Sequence, residues 1–132
     1  MSRPVRPELV EGRTDSILIE GLRVQAHVGV PLAERRRLQP VRIDLKLGLD
    51  LRTAGRMDRV EKTLDYAAVA QEVKGLVRGR SFRLAEAMAE AIAERLLRKF
   101  KPARIRVQIR KFSVPGATSV GVAITRGRWR RR

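Results

Sequence analysis

The chain predicts a two-layer α+β domain, in which two amphipathic helices cover one face of an antiparallel sheet. Three observations carry this. Two alternating apolar and polar segments open the chain, two segments with helical spacing fill its middle, and two more alternating segments close it. A strand needs a period of two and a helix one of 3.6, so the predicted order is strand, strand, helix, helix, strand, strand.

The first strand spans the region from Asp15 to Val30, with Gly21 as a place to bend and Pro31 as its end. PLAERRRLQP then reads as a polar loop, too long for a two-residue hairpin. From Val41 to Thr53 the apolar residues Val41, Ile43, Leu45, Leu47, Leu49 and Leu51 alternate with Arg42, Asp44, Lys46 and Asp50, the cleanest strand signal in the chain. A loop AGRMDRVEK follows. Next comes a helix with Tyr66, Val69, Ala70, Val73, Leu76 and Val77 on one arc, Thr63 or Asp65 as its cap and Gly79 as its stop.

A second, longer helix is expected from Ser81 to Phe100, with Ser81 as N-cap. Its apolar arc holds Ala85, Ala89, Ile92, Ala93, Leu96 and Phe100, and Glu86 lies at the margin. The turn between the helices is very short, so they run antiparallel. Pro102 blocks continuation. Arg104–Lys111 and Ser119–Arg126 alternate again, joined by a turn around Pro115 and Gly116. Four strands leave two open edges, which favours a homo-oligomer.

Composition excludes several classes. Without cysteine there is no disulfide, thiolate nucleophile or zinc ribbon, and His27 is the only histidine, so no metal site is expected. No segment reaches the apolar length of a membrane helix. Residues 1–14 read as a mobile extension, 15–126 as the domain and 127–132 as a basic tail, with the protein placed in the cytoplasm. The formal charge of +16 suits a polyanion partner or a solvated basic surface. Five aromatic residues with no aromatic and basic alternation make nucleic acid the weaker reading.

Four ionisable residues stand at element ends: Glu34, Tyr66, Glu86 and Lys111. Each also has a plain structural explanation. Glu34 could balance Arg35 to Arg37, Tyr66 could be a core aromatic, Glu86 could favour the positive end of a helix and Lys111 could be a solvated strand end.

In this order the segments VGVPLAERRRLQPVRIDL, TLDY, SFRLAEAMAEAIAERLL and RKFSVPGATSVGVAITR resemble the dihydroneopterin aldolases of folate biosynthesis. The resemblance implies the tunnelling fold, in which ββααββ subunits form rings of four, often stacked as octamers with oligomeric barrels and sites between subunits. It implies a pterin substrate, no cofactor and a retro-aldol cleavage. By this likeness Glu86 anchors the pterin edge with backbone groups of Leu84 and Ala85, and Lys111 moves protons. Tyr66, from the adjacent subunit, orients the substrate's side chain and passes or stabilises protons, Leu64 is a substrate-binding residue, and Glu34 and Gln39 position the reacting end. The same likeness leaves open a sister activity, epimerisation of dihydroneopterin triphosphate. Phe112 stands where many relatives have proline after the lysine.

Overall fold

The structure is a computed structural model and describes residues 15–127. In chain order the elements are β1 (Ser16–Val28), α1 (Leu32–Arg36), β2 (Gln39–Gly48), α2 (Arg52–Met57), a 3-10 turn (Val60–Lys62), α3 (Tyr66–Arg78), β3 (Ser81–Phe82), α4 (Ala85–Phe100), β4 (Arg104–Lys111) and β5 (Val120–Gly127). The sheet has five strands in the order β3-β1-β2-β4-β5. All neighbours are antiparallel except β3, which runs parallel to β1.

The mixed α+β architecture is the one the periodicities predict, with local corrections. Ser81 does not cap the second helix. It pairs with His27 while Phe82 pairs with Val28, and the helix begins at Ala85 behind an extended Leu84. Burial of the Phe82 ring, 4% exposed, holds this short strand against β1. The polar loop after β1 contains the single-turn helix α1. β2 ends at Gly48 rather than Thr53, because the chain turns there into α2. The expected tail began at Gly127, but β5 includes that residue, and Arg126 is bound to Glu90 of α4, with Nε 3.2 Å from Oε1. The expected extension 1–14 and the rest of the tail, 128–132, lie outside the described residues.

β1 bends where expected. Its pairing with β2 slips between Ile19 and Leu22, and Gly21 adopts φ +70, a left-handed value that a side chain would oppose. The displaced amide is not lost, since Gly21 N donates to Asp44 Oδ1 at 2.6 Å.

One face of the sheet is dry. Val41, Ile43, Leu45 and Leu47 of β2 and Ile105, Val107 and Ile109 of β4 are buried against Val69, Val73 and Val77 of α3 and Met88, Ile92 and Leu96 of α4. Each such aliphatic side chain contributes about 1.5–3 kcal/mol by leaving water. α3 lies against β1, and α4 against β4 and β5. Asp65 caps α3 by accepting from Ala67 N at 3.0 Å and Ala68 N at 3.4 Å. Glu72 of α3 joins the helices, accepting from Arg95 at 2.7 Å and Lys99 at 2.8 Å.

At Gly121 the edge strand β5 lies so close to β4 that a Cβ would strike the Ile109 carbonyl and stand 3.1 Å from Arg110 Cα. Backbone cannot swing aside as a side chain can. Gly121→Ala is therefore expected to lower stability by about 1–3 kcal/mol through forced displacement of β5. Denaturant titration checks this, and an unchanged midpoint refutes it.

Candidate active site

Glu34 sits in the first turn of α1, and three contacts fix that turn. Arg35 Nη1 donates back to Gly29 O at 2.9 Å and Val30 O at 3.1 Å, while His27 Nδ1 donates to Arg35 O at 2.9 Å. The Glu34 side chain then folds over Gly29, where a Cβ would stand 2.7 Å from Glu34 Cγ. Only a residue without a side chain leaves room for the carboxylate there. These supporting residues, His27, Gly29 and Arg35, were not selected from the sequence, because their contacts are backbone ones that no residue type announces.

Gln39 opens β2 and Lys111 closes β4, so the strand register brings both to the end of the sheet that α1 covers. Gln39 Nε2 donates to Val28 O at 2.7 Å and to Glu34 Oε2 at 3.3 Å. Lys111 Nζ lies 2.9 Å from the same Glu34 oxygen, with side-chain exposures of 16% for the lysine and 19% for the glutamate. The Lys111 ammonium holds the Glu34 carboxyl below its ordinary value of 4.5, Gln39 helps, and partial burial opposes them.

The sign of this shift sets a pH dependence. A carboxylate with a depressed folded-state pKa contributes stability that is complete above the ordinary value and fades as pH falls through the depressed one. The stability difference between wild type and Glu34→Gln is thus expected to be flat above about pH 5.5 and to shrink in more acid solution. Thermal midpoints measured from pH 3 to 8 test it, and a difference that grows on acidification rules it out.

The start of α4 lies at this same end. Gly29 N donates to Phe82 O at 3.0 Å, and three residues after Phe82 the helix begins. Leu84 occupies the N-cap position, but its apolar side chain makes no cap hydrogen bond and is 47% exposed. The first amides of a helix have no partner within it, so those of Ala85 and Glu86 are free of side-chain capping and suited to a ligand. Glu86 stands in that first turn, exposed rather than partly sheltered.

Tyr66 and Leu64 lie elsewhere. Tyr66 is the first residue of α3 and is 65% exposed, so it is not a core aromatic. Leu64, partly buried, and Tyr66 line an apolar cavity of about 510 Å³ with Ile17, Leu51 and Val60. α3 then spans roughly 20 Å from Tyr66 before the chain reaches β3. One chain therefore unites Glu34, Gln39 and Lys111 beside Leu84, Ala85 and Glu86, and holds Leu64 and Tyr66 at the opposite end. Among the described residues, no group of three or more His, Cys, Asp or Glu is placed to hold a metal ion.

An ammonium and a carboxylate in contact at a strand end, with an uncapped helix start close by, define an α+β protein with a candidate site for a small polar ligand. Comparison with known proteins narrows the class. The chain belongs to the dihydroneopterin aldolase family, whose family model matches residues 17–125. It is 34% identical over 116 residues to the dihydroneopterin aldolase of Bacillus subtilis, covering 85% of this chain and 97% of that one. To the Escherichia coli enzyme of the same name it is 37% identical over 114 residues, 86% of this chain and 93% of that one. The crystal structure of the E. coli dihydroneopterin aldolase in complex with neopterin superimposes with a TM-score of 0.83 at 37% identity, covering 86% of this chain and 99% of that one.

Proposed function

We propose that this chain is a dihydroneopterin aldolase, cleaving 7,8-dihydroneopterin into 6-hydroxymethyl-7,8-dihydropterin and glycolaldehyde. The observation that carries the reading is the convergence of Glu34, Gln39 and Lys111 beside the open start of α4. Relatives at 34% and 37% identity bear the same enzyme name.

The Glu86 carboxylate matches a pterin edge that presents an amino group and a ring N–H, two donors side by side. Backbone groups of Leu84 and Ala85 complete that edge. At the other end of the ligand, a base removes the 2′-hydroxyl proton and the C1′–C2′ bond breaks. Its electron pair passes into the conjugated imine of the ring and glycolaldehyde departs. A proton delivered to C1′ completes the hydroxymethyl product. Lys111 is the group that exchanges protons, and Glu34 with Gln39 sets the position of its amine. The substrate supplies its own electron sink, so the step calls for neither a metal nor a Schiff base.

Leu64 and Tyr66 enter from an adjacent subunit in this reading, since within one chain they lie at the far end from Lys111. The edge of β1 over residues 16–25 and the outer edge of β5 carry no neighbouring strand among the described residues. Pairing of such edges between copies, in rings of four and stacked octamers, would close oligomeric barrels and bring the two half-sites together. No helix of the described residues is long and apolar enough to cross a membrane, and a cytoplasmic setting fits.

The test is glycolaldehyde release from 7,8-dihydroneopterin by the purified chain, with and without EDTA. Equal rates are expected, and loss of activity on chelation overturns the metal-free route. Turnover of dihydroneopterin triphosphate alone would overturn the substrate assignment.

A further inference from the structure

The face of the sheet turned away from the helices carries an arrangement that the aldolase reaction does not use. Registers across three strands place Arg23 opposite Arg42, and Arg42 opposite Arg110. Four residues along β2, Lys46 stands opposite Arg106. Like charges directly opposite one another destabilise a sheet. Here three such pairs occur on one face.

Few carboxylates offset them. Asp44 lies between the rows and is already engaged, by Gly21 N at 2.6 Å and by Arg110 Nη2 at 3.0 Å. Arg110 Nε is buried without any hydrogen-bond partner. Among the described residues Arg106 donates to a neutral acceptor, Gln108 Oε1 at 3.3 Å, and Arg42 rests over the Phe112 ring at 5.9 Å. Glu20 and Asp44 both line a groove of about 400 Å³ on this face, whose cations are Lys46, Arg106 and Arg110. Lys46 and Arg106 also line an adjoining hollow of about 170 Å³ with Arg104.

We propose that this groove binds a linear oligophosphate, held between the Lys46 and Arg106 pair at one end and Arg110 at the other. Positive charge crowded on a surface calls for a multivalent anion, and guanidinium groups match phosphate oxygens two at a time. Length selects a chain over a single phosphate. Arg106 and Arg110 stand four residues apart on one strand and lean towards Gln108 and Asp44 between them, while Arg104 prolongs the row by two residues, so the cations are strung along roughly 20 Å of strand, a length that several phosphates in series match better than one. Phe112, at the rim beneath Arg42, is the one aromatic ring near these rows among the described residues. With no stacking platform, recognition stops at the phosphates.

The experiment is calorimetric titration of the full chain with sodium tripolyphosphate at low salt. Binding that weakens as salt rises is expected. The double variant Lys46→Ala with Arg106→Ala should bind at least tenfold more weakly while cleaving dihydroneopterin at the wild-type rate. Tripolyphosphate should raise the thermal midpoint of the wild type and leave that of the variant unmoved. ATP should bind within a few-fold of tripolyphosphate, and inorganic phosphate far more weakly. The proposal is overturned by an absence of tripolyphosphate binding or by an unchanged affinity in the double variant. It is equally overturned if binding disappears only when Arg128, Arg130, Arg131 and Arg132 are replaced by serine, or if single-stranded RNA binds and tripolyphosphate does not.

Discussion

Replacing Lys111 by alanine is expected to lower kcat for dihydroneopterin cleavage by about 10²- to 10⁴-fold, the range that a positioned proton-transfer group supplies. KM should change far less, because the proposed pterin anchor, Glu86, lies on α4. Lys111 closes β4, and its Nζ lies 2.9 Å from Glu34 Oε2. Truncation removes the proposed proton carrier and leaves Glu34 its hydrogen bond from Gln39. Steady-state kinetics decide the matter. A rise in KM with kcat intact would make Lys111 a binding residue and sink its assigned role.

Glu86→Gln is expected to produce the complementary result. A carboxylate that accepts two hydrogen bonds becomes an amide that accepts at one atom and donates at the other, so one contact to the pterin turns repulsive. Hydrogen bonds to a charged group contribute about 1.5–3 kcal/mol, which corresponds to a loss of affinity of roughly 10- to 100-fold. Glu86 is exposed in the first turn of α4 and, among the described residues, has no side-chain hydrogen bond or ion pair, so stability should change by no more than the helix-dipole contribution of about 0.3–1 kcal/mol. Equilibrium binding of neopterin by fluorescence measures the effect. Unaltered affinity would remove Glu86 from the anchor.

These two residues show what the sequence made legible. β4 occupies the predicted span Arg104–Lys111, the bend falls at Gly21, and the helix cap is Asp65, one of the two candidates that residue chemistry offers. Local signals sufficed there because strand alternation, a left-handed glycine and an Asp side chain act within a few residues. The misread stretches depend on distant partners. Ser81 resembles a helix cap, yet Phe82 is pulled into the core beside Val28, a decision made by a strand far earlier in the chain. Met88, fully buried, lies outside the helical arc that the sequence predicts, since the alanines around it give a narrower stripe than the sheet covers.

The site followed the same division. Glu34 and Lys111 were selectable by residue type and by family likeness, but their contact is a product of sheet register. Spacing in the sequence carries no trace of it. Tyr66 read equally well as a core aromatic, and only its 65% exposure at the head of α3 settles that it is not one.

The hydrogen bond from Gly29 N to Phe82 O has a wider meaning than its modest strength. It links the platform beneath Glu34 directly to the segment that leads into α4, with no side chain intervening. Substitutions can change what either half grips, but the spacing of the halves is written in main-chain atoms common to almost every residue. Side chains on either half can therefore vary without altering that spacing, while Gly29 itself has to stay bare for the Glu34 carboxylate to fold over it.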